Sequence, residues 1–62
     1  MSNEVRKGAI LEHKDGSIYI AIDERDAAVV YEADLHFNQE IGSIQYGMAQ
    51  CDKVRVVGYI DE

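Results

Sequence analysis

The stretch Lys14-Asp15-Gly16, followed directly by Ser17-Ile18-Tyr19-Ile20-Ala21-Ile22, decides the fold. Its three isoleucines alternate with other residues, and successive side chains of a β-strand point to opposite faces, so the isoleucines share one face. Asp-Gly accommodates the positive φ angle of a tight hairpin turn, and apolar residues lie on both sides of it. The stretch therefore predicts a β-hairpin early in the chain.

The rest of the chain continues in short segments with the alternation of β-strands. The five predicted strands cover residues 7–13, 17–22, 27–32, 41–46 and 53–60. In the first, we expect Ile10 to point inward and Leu11 to pack near an edge or an interface. Between the third and fourth strands two interpretations remain open. Asp34 caps a short helical turn over 34–37, or the strand continues to Phe37.

The opening segment, residues 6–22, resembles the first hairpin of SH3-like small β-barrels. In those domains a Lys-Gly-x-hydrophobic strand, here Lys7-Gly8-Ala9-Ile10, leads through a charged turn with glycine to a strand carrying Tyr. The resemblance implies a fold type often used to bind protein or nucleic acid, and it assigns no functional residue here. We predict an all-β domain over 7–62, after a flexible 1–6. Its form is a five-stranded antiparallel SH3-like barrel or strongly bent sheet with at most one helical turn.

The small size of the chain limits its stability. A chain of 62 residues buries only about 60% of its unfolded surface, so disulfides, a metal or oligomerisation usually supplement the core. Cys51 is the single cysteine and forms no disulfide within the chain. We therefore expect a homodimer in the reducing cytoplasm. No apolar run approaches the ~20 residues of a membrane span.

The chain is acidic, with 12 acidic and 6 basic residues and a net charge of -6. Phosphate backbones and anionic membranes repel such a chain, so direct binding to nucleic acid or to a membrane is not expected. Two interpretations of the acidity remain open. It favours a protein partner with a basic surface, or it serves solubility alone.

The densest negative charge is the group Asp23, Glu24 and Asp26, with Arg25 inside it. An exposed hairpin turn explains such a group, because charged residues favour loop tips. The alternative is an acidic surface for the Lys or Arg side chains of a partner, with Glu32 and Asp34 extending it.

Three tyrosines form the second candidate surface. Strict alternation places Tyr19 opposite the isoleucines of its strand, Tyr31 opposite Val30, and Tyr59 opposite Val56 and Ile60. Together with neighbouring valines they form an aromatic patch suited to a protein interface, where Tyr is enriched. Alternatively, such tyrosines stabilise the sheet through cross-strand pairs.

The residues that bear chemistry are sparse. His13, His36 and Cys51 lack the close pairing of structural zinc ligands, and no nucleophile–base motif accompanies them. We therefore predict no catalytic activity, no metal and no cofactor.

Taken together, these features predict a non-enzymatic protein–protein interaction module. It binds through Tyr19, Tyr31 and Tyr59, while the acidic residues steer a basic partner and compete for a nucleic-acid-binding surface. Small acidic chains of this kind are frequent among phage and mobile-element proteins that inhibit host factors. The alternative is an assembly component that self-associates through its strand edges and its Tyr/Val face.

Overall fold

The computed structural model describes residues 4–33 and 40–61, which form five β-strands and one 3₁₀ turn. The strands are β1 (Ala9–His13), β2 (Ile18–Ala21), β3 (Ala27–Tyr31), β4 (Ile44–Gln45) and β5 (Val54–Tyr59), and the 3₁₀ turn is Met48–Gln50. All five predicted strands are present, each shorter than predicted. The 3₁₀ turn lies between the fourth and fifth predicted strands, and the helical turn expected over 34–37 as one of two interpretations lies outside the described residues.

The strands form one antiparallel sheet in the order β4-β3-β2-β1-β5. The first four follow one another as a meander, and β5 returns to pair with β1. β4 and β5 are the two edges, so the sheet that the described residues form is open. The predicted all-β class with five antiparallel strands is confirmed, in its sheet form rather than as a closed barrel.

The first hairpin turns through Lys14, Asp15 and Gly16. Gly16 has a φ of +97°, a conformation that glycine adopts without steric penalty. Its N–H donates to the carbonyl oxygen of His13 at 2.8 Å, and the N–H of His13 donates to the carbonyl oxygen of Ser17 at 2.8 Å. The predicted Asp-Gly turn is thus confirmed as a three-residue loop with a left-handed glycine.

Two β-bulges interrupt the alternation of side chains. Val57 of β5 has no residue opposite it in β1, and Val30 of β3 has none opposite it in β2. An additional residue in one strand reverses the face to which the following side chain points. Tyr31 follows Val30 directly, and Tyr59 lies two residues after Val57. Tyr31 therefore points away from the face of Val29, and Tyr59 points to the same face as Val56, the reverse of what strict alternation assigns.

The buried core lies on one face of the sheet. Leu11 is opposite Tyr19, and Tyr19 is opposite Val29, so these three side chains form a row across β1, β2 and β3. The other buried hydrophobic residues in the described part of the chain are alanines: Ala9, Ala21, Ala27 and Ala49. The partly buried residues that pack against this core are Val5, Met48, Val54, Val56 and Tyr59.

The core is on the face opposite to the one that the sequence predicts. Leu11 is fully buried and Ile10 is half-buried, the reverse of the expectation. Because Leu11 and Tyr19 are in register, burying this pair places Ile10 and Ile20 together on the other face. Both faces of β2 are apolar, so alternation alone cannot decide which one is covered.

Residues 4–6 contact the sheet. Val5 packs against the core, and the Tyr59 hydroxyl donates to the carbonyl oxygen of Glu4 at 2.6 Å. The Arg6 guanidinium lies 4.2 Å from the centre of the Tyr59 ring and 3.2 Å from a carboxylate oxygen of Asp61. The packed part of the chain therefore begins before residue 7, where the sequence analysis starts the domain.

We expect Leu11→Ala to lower the free energy of unfolding by about 2–5 kcal/mol, because it leaves a cavity in the central row of the core. Leu11→Met is the matched control, since it conserves volume and costs less than about 1.5 kcal/mol. Urea unfolding followed by far-UV circular dichroism measures both. Equal losses in the two variants would show that Leu11 does not lie in a close-packed core.

Candidate interaction surface

The sheet face opposite the core is built mainly from isoleucines, and we call it the isoleucine face. Ile10 is opposite Gly58 on one side and Ile20 on the other. The same row continues from Ile20 to Ala28 and from Ala28 to Ile44. One uncharged row therefore crosses all five strands.

Much of this face is accessible to solvent. The isoleucines of its central row, together with Ile18, are only half-buried. Ile22, which continues the alternation of β2, is 41% exposed. Further exposed aliphatic residues belong to the same strands or follow them directly: Val30, Val57 and Ile60. Large aliphatic side chains thus lie on the more exposed side of the sheet.

Charged residues border the isoleucine face at one end. Arg55 lies opposite Glu12, and its Nη2 atom is 2.8 Å from Glu12 Oε1. The Arg55 side chain is 76% exposed, so water screens this ion pair and its contribution to stability is small. Tyr31, which lies opposite Ile18, adds a half-exposed ring to the same end. The border gives the apolar face a polar rim.

The three tyrosines do not form the predicted patch. Tyr19 is 2% exposed and belongs to the core, and Tyr59 packs at the margin of that core. Tyr31 is 56% exposed, and the bulge at Val30 places it on the isoleucine face. The shared exposed face predicted for Tyr19, Tyr31 and Tyr59 is therefore wrong, because Tyr19 and Tyr59 lie on the core side and the bulge at Val30 moves Tyr31 to the other face.

Asp23 and Glu24 are exposed, as predicted, at the turn between β2 and β3. Asp23 Oδ1 accepts the backbone N–H groups of Arg25 and Asp26, each at 2.7 Å. These hydrogen bonds, that of Asp26 first, hold the pKa of the Asp23 carboxyl below its ordinary value of 3.8. Asp23 therefore shapes the turn as well as charging it.

Asp26 is a structural residue. Its side chain is buried, and Oδ1 accepts the backbone N–H of Gly47 at 2.8 Å. Next to it, the N–H of Ala49 donates to the carbonyl oxygen of Arg25 at 2.9 Å. The Asp26 carboxylate joins the β2–β3 turn to the start of the 3₁₀ turn. It is not part of an exposed acidic group, which is a correction to the sequence analysis.

Glu32 is also held inside the fold. Its Oε1 atom accepts the hydroxyl of buried Ser17 at 2.8 Å, and the Ser17 oxygen accepts the N–H of Ala33 at 3.0 Å. Asp34 lies outside the described residues. Of the five predicted acidic site residues, Asp23 and Glu24 are thus the pair that the structure leaves exposed together.

Asp15 stabilises the turn between β1 and β2. Its Oδ1 atom accepts the backbone N–H of Ser17 at 2.8 Å, and this hydrogen bond is the main reason why the pKa of the Asp15 carboxyl lies below 3.8. The ring of His13, with Nδ1 3.1 Å from the same oxygen, lowers the pKa further. The groups that lower the pKa of Asp15, Ser17 and His13, both belong to the first hairpin.

The described residues include no metal-binding group. Within 4–33 and 40–61, no three His, Cys, Asp or Glu side chains come together. Cys51 is a half-buried free thiol, and His36 lies outside these ranges. An open groove of about 480 Å³ beside His13 is lined mainly by charged residues, among them Glu12, Lys53 and Arg55.

Comparison with known proteins finds no matching family model, no matching curated protein and no matching solved structure. The SH3-like resemblance of residues 6–22 therefore stays a prediction. No helix in the described part of the chain has both the length and the apolar character needed to cross a bilayer.

We expect Asp26→Ala to lower the free energy of unfolding by about 1–3 kcal/mol, because it leaves the N–H of Gly47 without its acceptor. Asp26→Asn retains an oxygen acceptor and should lose less. Urea unfolding of both variants makes the comparison. If Asp26→Ala unfolds at the wild-type urea concentration, Asp26 does not join the two turns.

We also expect stability to fall in acid. The pKa values of Asp15 and Asp23 are lower in the folded than in the unfolded chain, so both carboxylates stabilise the fold above their unfolded pKa. This stabilisation is lost as the pH falls through the folded pKa values, below about pH 5. Thermal midpoints of the wild type and of Asp15→Asn and Asp23→Asn, measured against pH, test this.

Both variants should lose less stability on acidification than the wild type does. Glu24→Gln is the control, because it removes a neighbouring exposed charge without touching the backbone donors that Asp23 accepts. A pH dependence that stays the same in Asp15→Asn and Asp23→Asn would contradict the assignment.

Proposed function

We propose that this protein is a non-enzymatic protein–protein interaction module that binds through the isoleucine face. The observation that carries the proposal is the distribution of aliphatic bulk between the two faces. Within 4–33 and 40–61, four of the seven buried hydrophobic residues are alanines, whereas Ile10, Ile18 and Ile20 lie half-buried on the other face. A sheet that worked alone would gain more by burying the larger side chains.

The free energy gained by burying isoleucine side chains supports a binding role for the isoleucine face. Complete burial of one isoleucine side chain stabilises a protein by about 1.5–3 kcal/mol relative to exposure. Several isoleucines that are half-buried in the free chain therefore retain a substantial gain for a partner to realise. Large exposed apolar patches with a polar rim are typical of protein interaction sites.

The acidic charge of the chain favours a partner with a basic surface. A net charge of -6, with Asp23 and Glu24 exposed together, attracts such a partner and speeds encounter. Inhibition of a host factor by a small phage or mobile-element protein is the form of this function that we propose. The acidic residues then compete with nucleic acid for the basic surface of the partner.

A cytoplasmic setting is part of the proposal. Cys51 is a free thiol, as is usual for proteins in a reducing compartment.

The first test is capture of partners from a lysate of the host cell with the immobilised protein. We expect the wild type to retain a partner in stoichiometric amount and Ile20→Glu to lose it, because the variant buries a charge at the centre of the interface. Retention should also fall between about 0.05 M and about 0.5 M salt, as screening weakens the acidic attraction. Mass spectrometry of the retained proteins is the measurement.

Gln50→Glu is the matched control for this capture. It adds the same negative charge in the 3₁₀ turn, on the core side of the sheet, and should retain the partner. Circular dichroism establishes that both variants are folded. If folded Ile20→Glu retains the same proteins as the wild type, the isoleucine face is not the binding surface.

A further inference from the structure

We propose that the turn between β1 and β2 is a pH-sensitive switch, in which protonation of His13 replaces one hydrogen bond of Asp15 by another. The proposal goes beyond the interaction role and does not depend on the isoleucine face. Histidine is the side chain that ordinarily gains its proton between about pH 5 and about pH 8, so it lets a protein respond to changes near neutral pH.

The Nδ1 atom of His13 lies within hydrogen-bond distance of two groups of Asp15. The backbone N–H of Asp15 donates to Nδ1 at 3.2 Å, and Asp15 Oδ1 lies 3.1 Å from the same nitrogen. A ring nitrogen either carries a proton and donates or has a lone pair and accepts, so Nδ1 makes one of these bonds at a time. The bond from the N–H requires Nδ1 without a proton, and the bond to the carboxylate requires Nδ1 with one.

The charge of the His13 ring determines which bond is made. In the neutral ring with its proton on Nε2, Nδ1 accepts the Asp15 N–H while its lone pair faces a carboxylate oxygen. In the charged ring both nitrogens carry protons, so Nδ1 donates to Oδ1 and the Asp15 N–H loses its acceptor. The second bond is charge-assisted and therefore stronger than the first. Each state satisfies one group of Asp15 and leaves the other without its bond.

The other hydrogen bonds of the turn do not involve the His13 ring. The N–H of Gly16 donates to the carbonyl oxygen of His13 at 2.8 Å. The N–H of Ser17 donates to Asp15 Oδ1 at 2.8 Å, and a carboxylate oxygen has lone pairs for a second donor. Protonation therefore changes the bonding of the Asp15 N–H while the hairpin stays closed.

The charged groups of the neighbouring elements are accounted for by other contacts or by the groove beside His13. The residues that line this groove from β1, the turn, β5 and the segment before it are Glu12, Lys14, Asp52, Lys53 and Arg55. From β2, the Tyr19 ring lies 6.3 Å from the His13 ring, and Glu32 after β3 accepts the hydroxyl of Ser17. Among the described residues, Asp15 supplies the carboxylate in contact with Nδ1. Protonation of His13 thus adds a positive charge beside this groove and frees one backbone N–H.

An NMR titration of the isotopically labelled protein between about pH 8 and about pH 5.5 covers the range in which histidine changes charge and tests the proposal. Long-range proton–nitrogen spectra of the His13 ring show which nitrogen carries the proton, and we expect Nδ1 to be without one at the high end. As the pH falls, the amide proton of Asp15 should move upfield with the same midpoint as the ring, because it loses a hydrogen bond. The pKa of the Asp15 carboxyl lies below 3.8, so its own titration falls outside this range.

His13→Phe is the informative variant, because it retains an aromatic ring next to Tyr19 and lacks the nitrogen. In this variant the Asp15 amide proton should keep a constant chemical shift across the range. His36→Gln removes the other histidine of the chain and is the matched control, in which the response of Asp15 should remain. Where His13→Phe does not fold, the wild-type titration and the control decide the question.

Three results would each overturn the proposal. The first is a proton on Nδ1 at about pH 8, since Nδ1 would then donate to the carboxylate both above and below the midpoint. The second is an Asp15 amide proton that does not follow the His13 ring in the wild type. The third is a response of Asp15 that persists in folded His13→Phe or disappears in His36→Gln.

Discussion

The structure depends on the cross-strand row in which Val56, Leu11, Tyr19 and Val29 lie opposite one another on the core face. Because side chains alternate with a period of two, this register also determines which residues lie on the second face. A slip of one residue would bring Ile10 and Ile20 into the core and expose Leu11 and Tyr19. The bulges at Val57 and Val30 shift the register, so the residues beyond them point to the other face than strict alternation would give. The isoleucine face is therefore a direct consequence of how the core is aligned.

Alternation and turn chemistry were enough to predict the five strands, their antiparallel class and the Asp15-Gly16 turn, because each of these features is local. They were not enough to predict which face is buried. Both faces of β2 are apolar, and the position of a bulge depends on the neighbouring strand rather than on its own sequence. For that reason alternation groups Tyr31 with Val29 and separates Tyr59 from Val56, the reverse of what the structure shows. Asp26 was misread because its acceptor role involves Gly47, a residue far along the chain. Asp23 and Glu24 were placed correctly, since a run of charged residues at a turn is a local signal.

The two faces of the sheet have different physical roles, and small side chains explain the difference. Ala9, Ala21 and Ala27 allow the segments on the core side, including the 3₁₀ turn with Ala49, to approach the sheet closely. Such a core fixes register and shape but removes little apolar surface from water. The isoleucines of the other face have larger side chains than these alanines, and a larger fraction of each is exposed to solvent. A division of this kind lets one layer define the fold while the other supplies the free energy of association, which is the basis on which we propose an interaction role.

An exposed apolar sheet face also carries a risk of uncontrolled association, and the edges of this sheet limit it. β4 has only two residues, so it offers a short template for another strand. β5 is longer, but the bulge at Val57 and the exposed charge of Arg55 make it unsuited to regular edge-to-edge pairing. A net charge of -6 adds repulsion between copies at long range. A complex formed through the isoleucine face stops growing once that face is covered. Strand pairing at the sheet edges could instead add one chain after another. The features at the edges act against growth and leave the face free, so they favour a defined complex over an aggregate.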